Sequence, residues 1–461
     1  MESIFIFRRD FRLTDNTGFI ECFKSSSKVL PIFIFTPEQI EKNSYFSSNS
    51  FQFMIESLEE LNEELKEKYK SQIHYFYGYN IKILEDLLKE YNYDSIYFNM
   101  DYTPYALSRD NEIKSFCEKN KIKCNIIEDY LLSPIGTYLK EDGGCYQKYT
   151  PFKNNAKTFK VCSVNNQSFD KSDKFDKIKN SFELSNLDKY YSKNTNILIH
   201  GGRENGLKIL KTIKKFVNYG SERNDLSTPT THLSAYIKFG CISIREVYQT
   251  IFKLFGINHG IIDQLYWREF YFYLAYYFPR VLQGKSLKPQ YDGIKWENNS
   301  KIFDAWTKGK TGFPAVDAGM REMNETGYMH NRARLITSGI LIKILNCDWR
   351  MGEKYFATQL LDYDPIVNNG NWQWSSGSGA DSQPYFRIMS PWKQAIDNDP
   401  ECEYIKKWIP ELKNVPSKDI LNWNKSFEKY KNKCSYIKPI VDYELMRKKI
   451  VQVYKDGLYE N

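Results

Sequence analysis

Short apolar runs alternate with amphipathic stretches over residues 1–130, and this alternation constrains the fold more than any other feature of the chain. The runs 4–7, 29–35, 73–77, 95–99 and 123–128 have the length of strands, and the stretches 51–68, 81–91 and 105–120 repeat apolar residues at helical spacing. Strands and helices in alternation predict a parallel, doubly wound, Rossmann-like α/β domain. Its first turn carries no GxGxxG, so the dinucleotide fingerprint is absent.

The rest of the chain changes character twice. Periodicity fades over 131–200, where Gly143-Gly144, Pro151 and a polar run at 163–180 predict a long surface linker. From 201 onward helical signals dominate, with candidate helices at 206–219, 243–255, 260–278, 314–326, 331–345 and 352–361. We therefore expect an α/β domain at 1–130, a linker at 131–200 and an all-α domain at 201–461.

Composition excludes several classes of protein. Of the 461 residues 41% are hydrophobic, which is ample for packed cores, and no apolar run approaches the roughly 18 residues of a membrane span. The nine cysteines show no CxxC or Cys/His pairing, and the N-terminus shows no signal-peptide pattern. We expect a monomer in the cytoplasm or nucleus, without disulfides, metal or membrane contact. A net charge of +8 is compatible with a polyanionic partner but does not require one.

Two acids, two amides and two indoles converge between residues 362 and 374. Asp362 and Asp364 precede an Asn-Asn-Gly turn signal, and Trp372 and Trp374 follow it. The carboxylates can accept hydrogen bonds from a ribityl chain or a pyrimidine ring, and the indoles offer stacking faces. This pattern indicates the wall of a cofactor pocket, although an ordinary helix end with core tryptophans would explain the same spacing.

Two further stretches mix polar groups with aromatic ones. The Thr-Thr-His-Leu-Ser run at 230–234 opens a predicted helix, where hydroxyls and free amides suit a phosphate or simply cap the helix. Gln264 and Trp267 share a helix face beside Arg268, which a generic buried aromatic helix does not explain.

The segment 328–335 heads another predicted helix with two arginines. Arg332 and Arg334 are two residues apart and cannot share a face, so one can turn outward while the other points inward. An inward guanidinium needs an acidic partner. His330 beside them is interpreted as a capping or solvated residue rather than a catalyst.

Together with the Pro-Tyr-Phe-Arg-Ile run at 384–388, the 362–374 motif resembles the flavin-binding core of the photolyase/cryptochrome family. The charged loop at 7–16 resembles the opening of the family's antenna domain, and the resemblance extends along the chain to about residue 412. It is closest to the class I cyclobutane pyrimidine dimer photolyases. It implies FAD as the cofactor, UV-damaged DNA as the partner and blue-light-driven electron transfer to a lesion flipped out of the duplex.

The resemblance also implies roles for particular residues. The expected flavin contacts are Tyr219, Thr230, Thr231, His232, Leu233, Ser234, Arg334, Asp362, Tyr363, Asp364 and Asn368. The expected contacts to DNA or the lesion are Arg223, Gln264, Trp267, Arg268, Asn331, Arg332, Trp374, Arg387 and Gln394. Trp296, Trp349 and Trp372 stand at the positions of the electron-transfer triad, and Asn368 stands at the position that faces the flavin N5. Gln264, at the place of a residue that bonds the dimer carbonyls, completes the catalytic set.

Three departures from the family pattern keep alternatives open. Gln264 stands where class I enzymes carry Glu, and Asn331 and Leu335 stand where the (6-4) photolyases and animal cryptochromes carry histidines. A cryptochrome-type photoreceptor, a (6-4) photolyase and a nucleotide-binding protein without photochemistry are the competing hypotheses; the absence of a long C-terminal extension favours the enzyme. Tyr105-Ala106 replaces the Asn-Glu pair of the folate-binding families, so we expect a deazaflavin antenna, or none, rather than folate.

Overall fold

Within the described residues, five parallel strands form one sheet. The structure is a computed structural model that describes residues 1–168, 178 and 181–459. The strands are β1 Glu2–Phe7, β2 Lys28–Phe35, β3 His74–Tyr77, β4 Ser95–Asn99 and β5 Lys123–Ile127, in the order β3-β2-β1-β4-β5. All five predicted strands are confirmed. The central β1 is buried from Ser3 to Phe7, as a parallel strand covered on both faces requires.

Helices cover both faces of this sheet, so the predicted doubly wound α/β fold is confirmed. They are α1 Thr17–Ser25, α2 Pro37–Ile40, α3 Ser48–Tyr69, α4 Asn80–Glu90 and α5 Pro104–Asn120. The three predicted helices correspond to α3, α4 and α5. Helices α3 and α5 both end on a lysine in the left-handed conformation, Lys70 at φ 52° and Lys121 at φ 59°. The short helices α1 and α2 were not predicted from the sequence.

The segment 131–200, predicted as a surface linker, packs against both halves of the protein. It contains α6 Tyr149–Ala156 and a 3-10 helix, Leu184–Tyr190. In α6 the side chains of Tyr149, Phe152 and Ala156 are buried, and Phe152 packs on Phe270 of the helical half. Most of the polar run at 163–180 lies outside the described residues.

The second half is helical, as predicted. Its α-helices are α7 Arg203–Lys211, α8 Tyr219–Glu222, α9 Ser234–Lys238, α10 Ile244–Phe255, α11 Gly260–Tyr277, α12 Ser300–Thr307, α13 Pro314–Thr326, α14 Asn331–Lys343, α15 Trp349–Gln359, α16 Pro365–Ser376, α17 Pro391–Asn398, α18 Glu403–Trp408, α19 Ser417–Ile420, α20 Trp423–Tyr430 and α21 Tyr443–Tyr459. Short 3-10 helices are Ile213–Phe216, Pro279–Gln283, Pro289–Gly293 and Pro410–Leu412.

The predicted single helix at 206–219 is wrong, because the chain breaks there into α7, a 3-10 turn and α8. At the break, the Thr212 hydroxyl donates to the carbonyl oxygens of Lys208 and Ile209 at 3.3 and 3.2 Å. A threonine that bonds its own preceding turn competes with the helical ladder. Helix α15 starts three residues earlier than predicted, because the Asp348 side chain caps it by accepting from the Arg350 amide at 2.9 Å.

A buried ionic network joins the two halves. Asp129 accepts from Arg12 at 2.6 Å and from Arg245 at 2.8 Å, and Arg245 also pairs with Asp15 at 2.9 Å. Burial raises the pKa of Asp129, but the two guanidiniums outweigh it and hold the pKa below its usual range. Removing one member would strand a buried charge, so the network fixes how the halves meet. Within the described ranges, no helix is long and apolar enough to cross a membrane.

Candidate functional site

A cavity of about 500 Å³ lies among α9, α11, α14 and α16, and it brings most of the predicted site residues together. The predicted residues that line it are Tyr219, Arg223, Thr230, Thr231, His232, Leu233, Ser234, Gln264, Trp267, Arg268, Asn331, Arg332, Arg334, Asp362, Tyr363, Asp364, Asn368, Trp372 and Trp374. We call it the helical-domain cavity. The predicted residues Trp296, Trp349, Arg387 and Gln394 do not line it.

Asp362 is the acidic partner that the inward arginine requires. Its Oδ2 accepts from Arg334 Nη2 at 3.0 Å and from Ser234 Oγ at 2.6 Å. Its Oδ1 is buried and has no hydrogen-bond partner within the described residues. A buried carboxylate oxygen without a donor is costly unless a ligand supplies one. The hydroxyl-rich ribityl chain and the ring N–H of a flavin are such donors, so this corner of the cavity fits FAD.

Asp364 plays a different local role, although it borders the same cavity. Its Oδ1 caps α16 by accepting from the amides of Ile366 and Val367 at 3.0 and 3.2 Å. Its Oδ2 accepts from Arg9 Nη1 at 2.9 Å, and Arg9 belongs to the loop after β1. Asp364 therefore ties the cavity wall to the α/β domain, a contact that the sequence analysis missed.

Asn368 is held by a buried glutamate that the sequence did not single out. Its Nδ2 donates to Glu353 Oε1 at 3.0 Å and to the Glu353 carbonyl at 3.3 Å. With its donor engaged, the amide oxygen of Asn368 remains available to the cavity. Burial raises the pKa of Glu353 to about 7, against hydrogen bonds from Asn368, Tyr45 and Tyr363 that lower it.

Two indoles and a primary amide border the cavity on α11 and α16. Trp267 and Gln264 lie on the same face of α11, as the spacing predicted, and Trp374 lies on α16 with its Nε1 donating to the Asp381 carbonyl at 3.1 Å. Both indoles are half-buried. Flat faces near a primary amide suit a planar base with carbonyl groups.

Arg268, which the resemblance predicts to contact the DNA backbone, lines the cavity and turns its guanidinium inward. Its Nη1 donates to the Tyr130 carbonyl at 2.7 Å, and its guanidinium lies 4.4 Å from the centre of the Phe272 ring. Burial lowers its pKa. We interpret Arg268 as a wall residue that joins the two halves. In the sequence, Arg268 stands beside Gln264 and Trp267, and this spacing does not indicate that its guanidinium turns toward Tyr130.

The other predicted DNA contacts lie at or near the surface. Arg332 is half-buried with Nη2 donating to Asn224 Oδ1 at 2.6 Å, and Arg223 and the exposed Asn331 line the cavity beside it. Arg387 is exposed and donates to Gln383 at 3.0 Å. Gln394, on α17, lies away from the cavity, and its Oε1 is buried without a partner in the described part of the chain.

The three tryptophans predicted to form an electron-transfer triad differ in their surroundings. Trp372 is buried against α15, where a Cβ on Gly352 would stand 2.2 Å from its Cη2, so only glycine permits this approach. Trp349 is buried at the start of α15. Trp296 is half-buried and meets Tyr454 edge-on at 5.5 Å.

His330 caps α14, as the sequence analysis interpreted it. Its side chain accepts from the Arg332 amide at 3.1 Å, and burial lowers its pKa to about 4.

Lys238, which was not predicted as a site residue, borders both the helical-domain cavity and a second cavity. Burial, and then the Arg9 charge, lower its pKa to about 7. An isolated lysine in the helical run 234–238 carried no signal of this position.

The second cavity is larger, about 670 Å³, and lies between the sheet and the helical half. We call it the interdomain cavity. Its walls include Phe35, Phe51, Tyr105, Arg109 and Trp349. It is not the place where the predicted flavin residues meet. Within 1–168, 178 and 181–459, no group of three or more His, Cys, Asp or Glu side chains can hold a metal ion.

An α/β sheet domain joined to a helical domain, with a cavity that fits FAD, is the architecture of a two-domain flavoprotein. Residues 3–170 match the family model described as DNA photolyase, and residues 261–456 match the model described as the FAD binding domain of DNA photolyase. The chain belongs to the DNA photolyase family, and its cofactor is FAD.

Individual relatives agree with this membership. A deoxyribodipyrimidine photo-lyase of Buchnera aphidicola is 34% identical over 476 residues, covering 99% of this chain and 98% of the relative. An archaeal photolyase from Sulfolobus tokodaii, solved with two FAD molecules, has a TM-score of 0.88 at 39% identity and covers 99% of this chain and 100% of its own. A Synechocystis cryptochrome, 23% identical with a TM-score of 0.88, covers 98% of this chain and 99% of its own and shares the fold.

Proposed function

We propose that this chain repairs UV-damaged DNA in blue light by splitting cyclobutane pyrimidine dimers. The observation that carries the proposal is one cavity that combines buried Asp362, with an oxygen in need of a donor, and two half-buried indoles, Trp267 and Trp374. The name of the full-length relatives, deoxyribodipyrimidine photo-lyase, supports the same reaction.

In this proposal the residues that line the cavity bind either the cofactor or the lesion. FAD, when bound, supplies the photoexcited electron donor. Asp362 and Asn368 hold the cofactor by hydrogen bonds. Trp267 and Trp374 stack on a flipped-out dimer, and Gln264 donates N–H groups to its carbonyls.

Three guanidiniums, two of which line the cavity, serve the DNA backbone. Arg223, Arg332 and Arg387 are neither buried in the core nor paired with a carboxylate in the described residues. Arginines in this state can neutralise phosphates, which sets affinity and its salt dependence.

Repair of (6-4) products has no support among the described residues near the cavity. His330 is committed to capping α14 and is held neutral by its lowered pKa, and Asn331 and Leu335 occupy the remaining candidate places. The two histidines that the (6-4) photolyases carry in this segment are therefore absent from these positions.

The test combines binding with repair. Protein with chemically reduced flavin should restore the two thymines of a cyclobutane dimer in an oligonucleotide under blue light and leave it intact in the dark. Trp267→Leu and Trp374→Leu should each weaken lesion binding, since stacking on a base contributes about 1–3 kcal/mol. Trp408→Leu, which changes a tryptophan away from the cavity, is the matched control. Absence of light-dependent repair by the wild type would contradict the proposal.

The interdomain cavity is our proposed place for a light-harvesting chromophore. The Sulfolobus relative, which is described as containing two FAD molecules with the implication of a novel light-harvesting cofactor, supports such a role for a second site. Ala106 is buried and offers no polar side-chain group, and Tyr105, which borders the cavity, hydrogen-bonds Thr36 at 3.2 Å, so neither of these two residues offers a pterin a carboxylate. Mass spectrometry of the extracted chromophores should find a deazaflavin or another flavin, or none; stoichiometric folate would contradict this.

We further propose that the protein is a monomer of the cytoplasm or nucleus. All nine cysteines are free thiols, which fits a reducing compartment.

A further inference from the structure

One face of the Trp267 indole is covered by a residue of the segment 131–200. The ring of Tyr149, on α6, lies parallel to the Trp267 indole, with ring centroids 3.7 Å apart and an angle of 10° between the planes. Tyr149 is buried, whereas Trp267 is half-buried and borders the helical-domain cavity. The other neighbours of the indole, Phe270 and Tyr271, meet it tilted or edge-on at 5.7 Å.

Tyr149 is itself fixed to the helix that carries Trp267. Its hydroxyl donates to the Asp263 carbonyl at 2.6 Å, one helical turn before Trp267 on α11. The Asp263 carboxylate pairs with Lys153 at 3.2 Å and with Lys157 at 3.1 Å. Lys153 is in α6 and Lys157 immediately follows it, so α6 is attached to α11 at this point by three polar contacts.

We propose that Tyr149 is a positioning residue for lesion recognition, which holds the Trp267 indole in the orientation that a flipped-out pyrimidine dimer needs. This inference rests on the proposed function. A half-buried tryptophan at a cavity would otherwise sample several rotamers, and ordering it on binding would reduce affinity. With one face stacked on Tyr149, the indole presents its other face already oriented. Undamaged DNA, which places no base in the cavity, gains nothing from this orientation.

The experiment compares Tyr149→Leu and Tyr149→Phe with the wild type as FAD-loaded proteins. Dissociation constants are measured in the dark for an oligonucleotide with one cyclobutane dimer and for the same sequence undamaged. Tyr149→Leu should weaken lesion binding about fivefold, the equivalent of about 1 kcal/mol for one aromatic pair. Affinity for undamaged DNA and FAD content should stay unchanged. Tyr149→Phe keeps the ring and should stay within about twofold of the wild type. Should Tyr149→Leu not accumulate as folded protein, Tyr149→Met replaces it with the same expectation.

Two controls separate positioning from general packing. Tyr138→Leu removes another buried tyrosine that stacks on α11, at 5.6 Å from Tyr273, without touching Trp267, and should leave the ratio of the two affinities unchanged. In a Trp267→Leu background, Tyr149→Leu should have no further effect on lesion binding.

An equal loss of lesion and undamaged affinity in Tyr149→Leu, an additive effect with Trp267→Leu, or no loss at all would overturn the inference. If the wild type itself does not prefer the lesion, the proposed function fails instead, and the two failures are thereby distinguished.

Discussion

Glu353 should make the stability of this protein depend on pH in a way that one substitution removes. It lies on α15 with 5% of its surface exposed, accepts from Asn368 at 3.0 Å, and has no ion-pair partner among the described residues. Burial raises its pKa from the usual 4.5 to about 7. At 1.36 kcal/mol for each pH unit between the two values, the ionised form costs the folded state about 3 kcal/mol.

The sign follows from which state keeps the proton. Between pH 4.5 and 7 the unfolded chain loses the Glu353 proton while the folded protein retains it. The stability contributed by the neutral acid is therefore fully present below pH 4.5 and is lost as the pH rises through 7. Glu353→Gln keeps the size and an acceptor for Asn368 but cannot ionise. The free energy of unfolding of Glu353→Gln minus that of the wild type should be about 2.5 kcal/mol larger at pH 8 than at pH 5, because only the wild type loses stability over this interval.

Denaturant unfolding at both pH values, with a constant excess of FAD, measures this difference. Other buried acids with raised pKa, such as Asp10, Asp399 and Glu269, are common to both proteins and cancel in the comparison. Glu325→Gln makes the same Glu-to-Gln change at an exposed position and is the matched control, whose difference from the wild type should not depend on pH in this way. A difference between Glu353→Gln and the wild type that stays constant from pH 5 to pH 8 would refute the reasoning.

Three further substitutions test the site. Trp372→Phe should retain FAD but lose most photoreduction of the oxidised flavin, while repair by chemically reduced protein survives; photoreduction equal to that of the wild type would contradict the triad assignment. Arg332→Ala should weaken lesion-DNA binding and lower the slope of log affinity against log salt by about 0.9, one phosphate equivalent, and an unchanged slope in the salt titration would exclude a phosphate contact. Gln264→Glu should raise dimer repair per absorbed photon several-fold, because a carboxyl group can share a proton with the dimer carbonyls and charge-assisted hydrogen bonds exceed neutral ones by about 1 kcal/mol; an unchanged quantum yield would remove Gln264 from the reaction.

The sequence predicted the elements whose pattern is local. The five strands of the sheet are short apolar runs, and α11 and α14 repeat apolar residues at helical spacing. Strands and helices of this kind can be recognised without knowing which elements they pack against. The 206–219 helix failed because a single threonine hydroxyl, that of Thr212, bonds back onto the preceding turn, which periodicity does not register.

The site was predictable where a motif carried it and not where distant parts of the chain meet. Asp362 and Arg334 were both predicted as flavin contacts because the resemblance covers their motifs, and their side chains lie 3.0 Å apart. Arg9 and Asp364 are 355 positions apart in the sequence, and no pattern in either segment indicates that their side chains meet. The stack of Tyr149 on Trp267 was hidden in a stretch whose weak periodicity suggested a linker, since α6 is too short to show a helical repeat.

The most direct test of the central claim is the quantum yield of lesion splitting by protein whose flavin is fully reduced. One oligonucleotide carries a single cyclobutane thymine dimer, the other a (6-4) product, and both are followed under blue light and in the dark. We expect light-dependent repair of the cyclobutane dimer, with a modest yield because Gln264 stands where the class I enzymes carry an acid, and no repair of the (6-4) product. Repair of the (6-4) product alone, or of neither lesion, would contradict it.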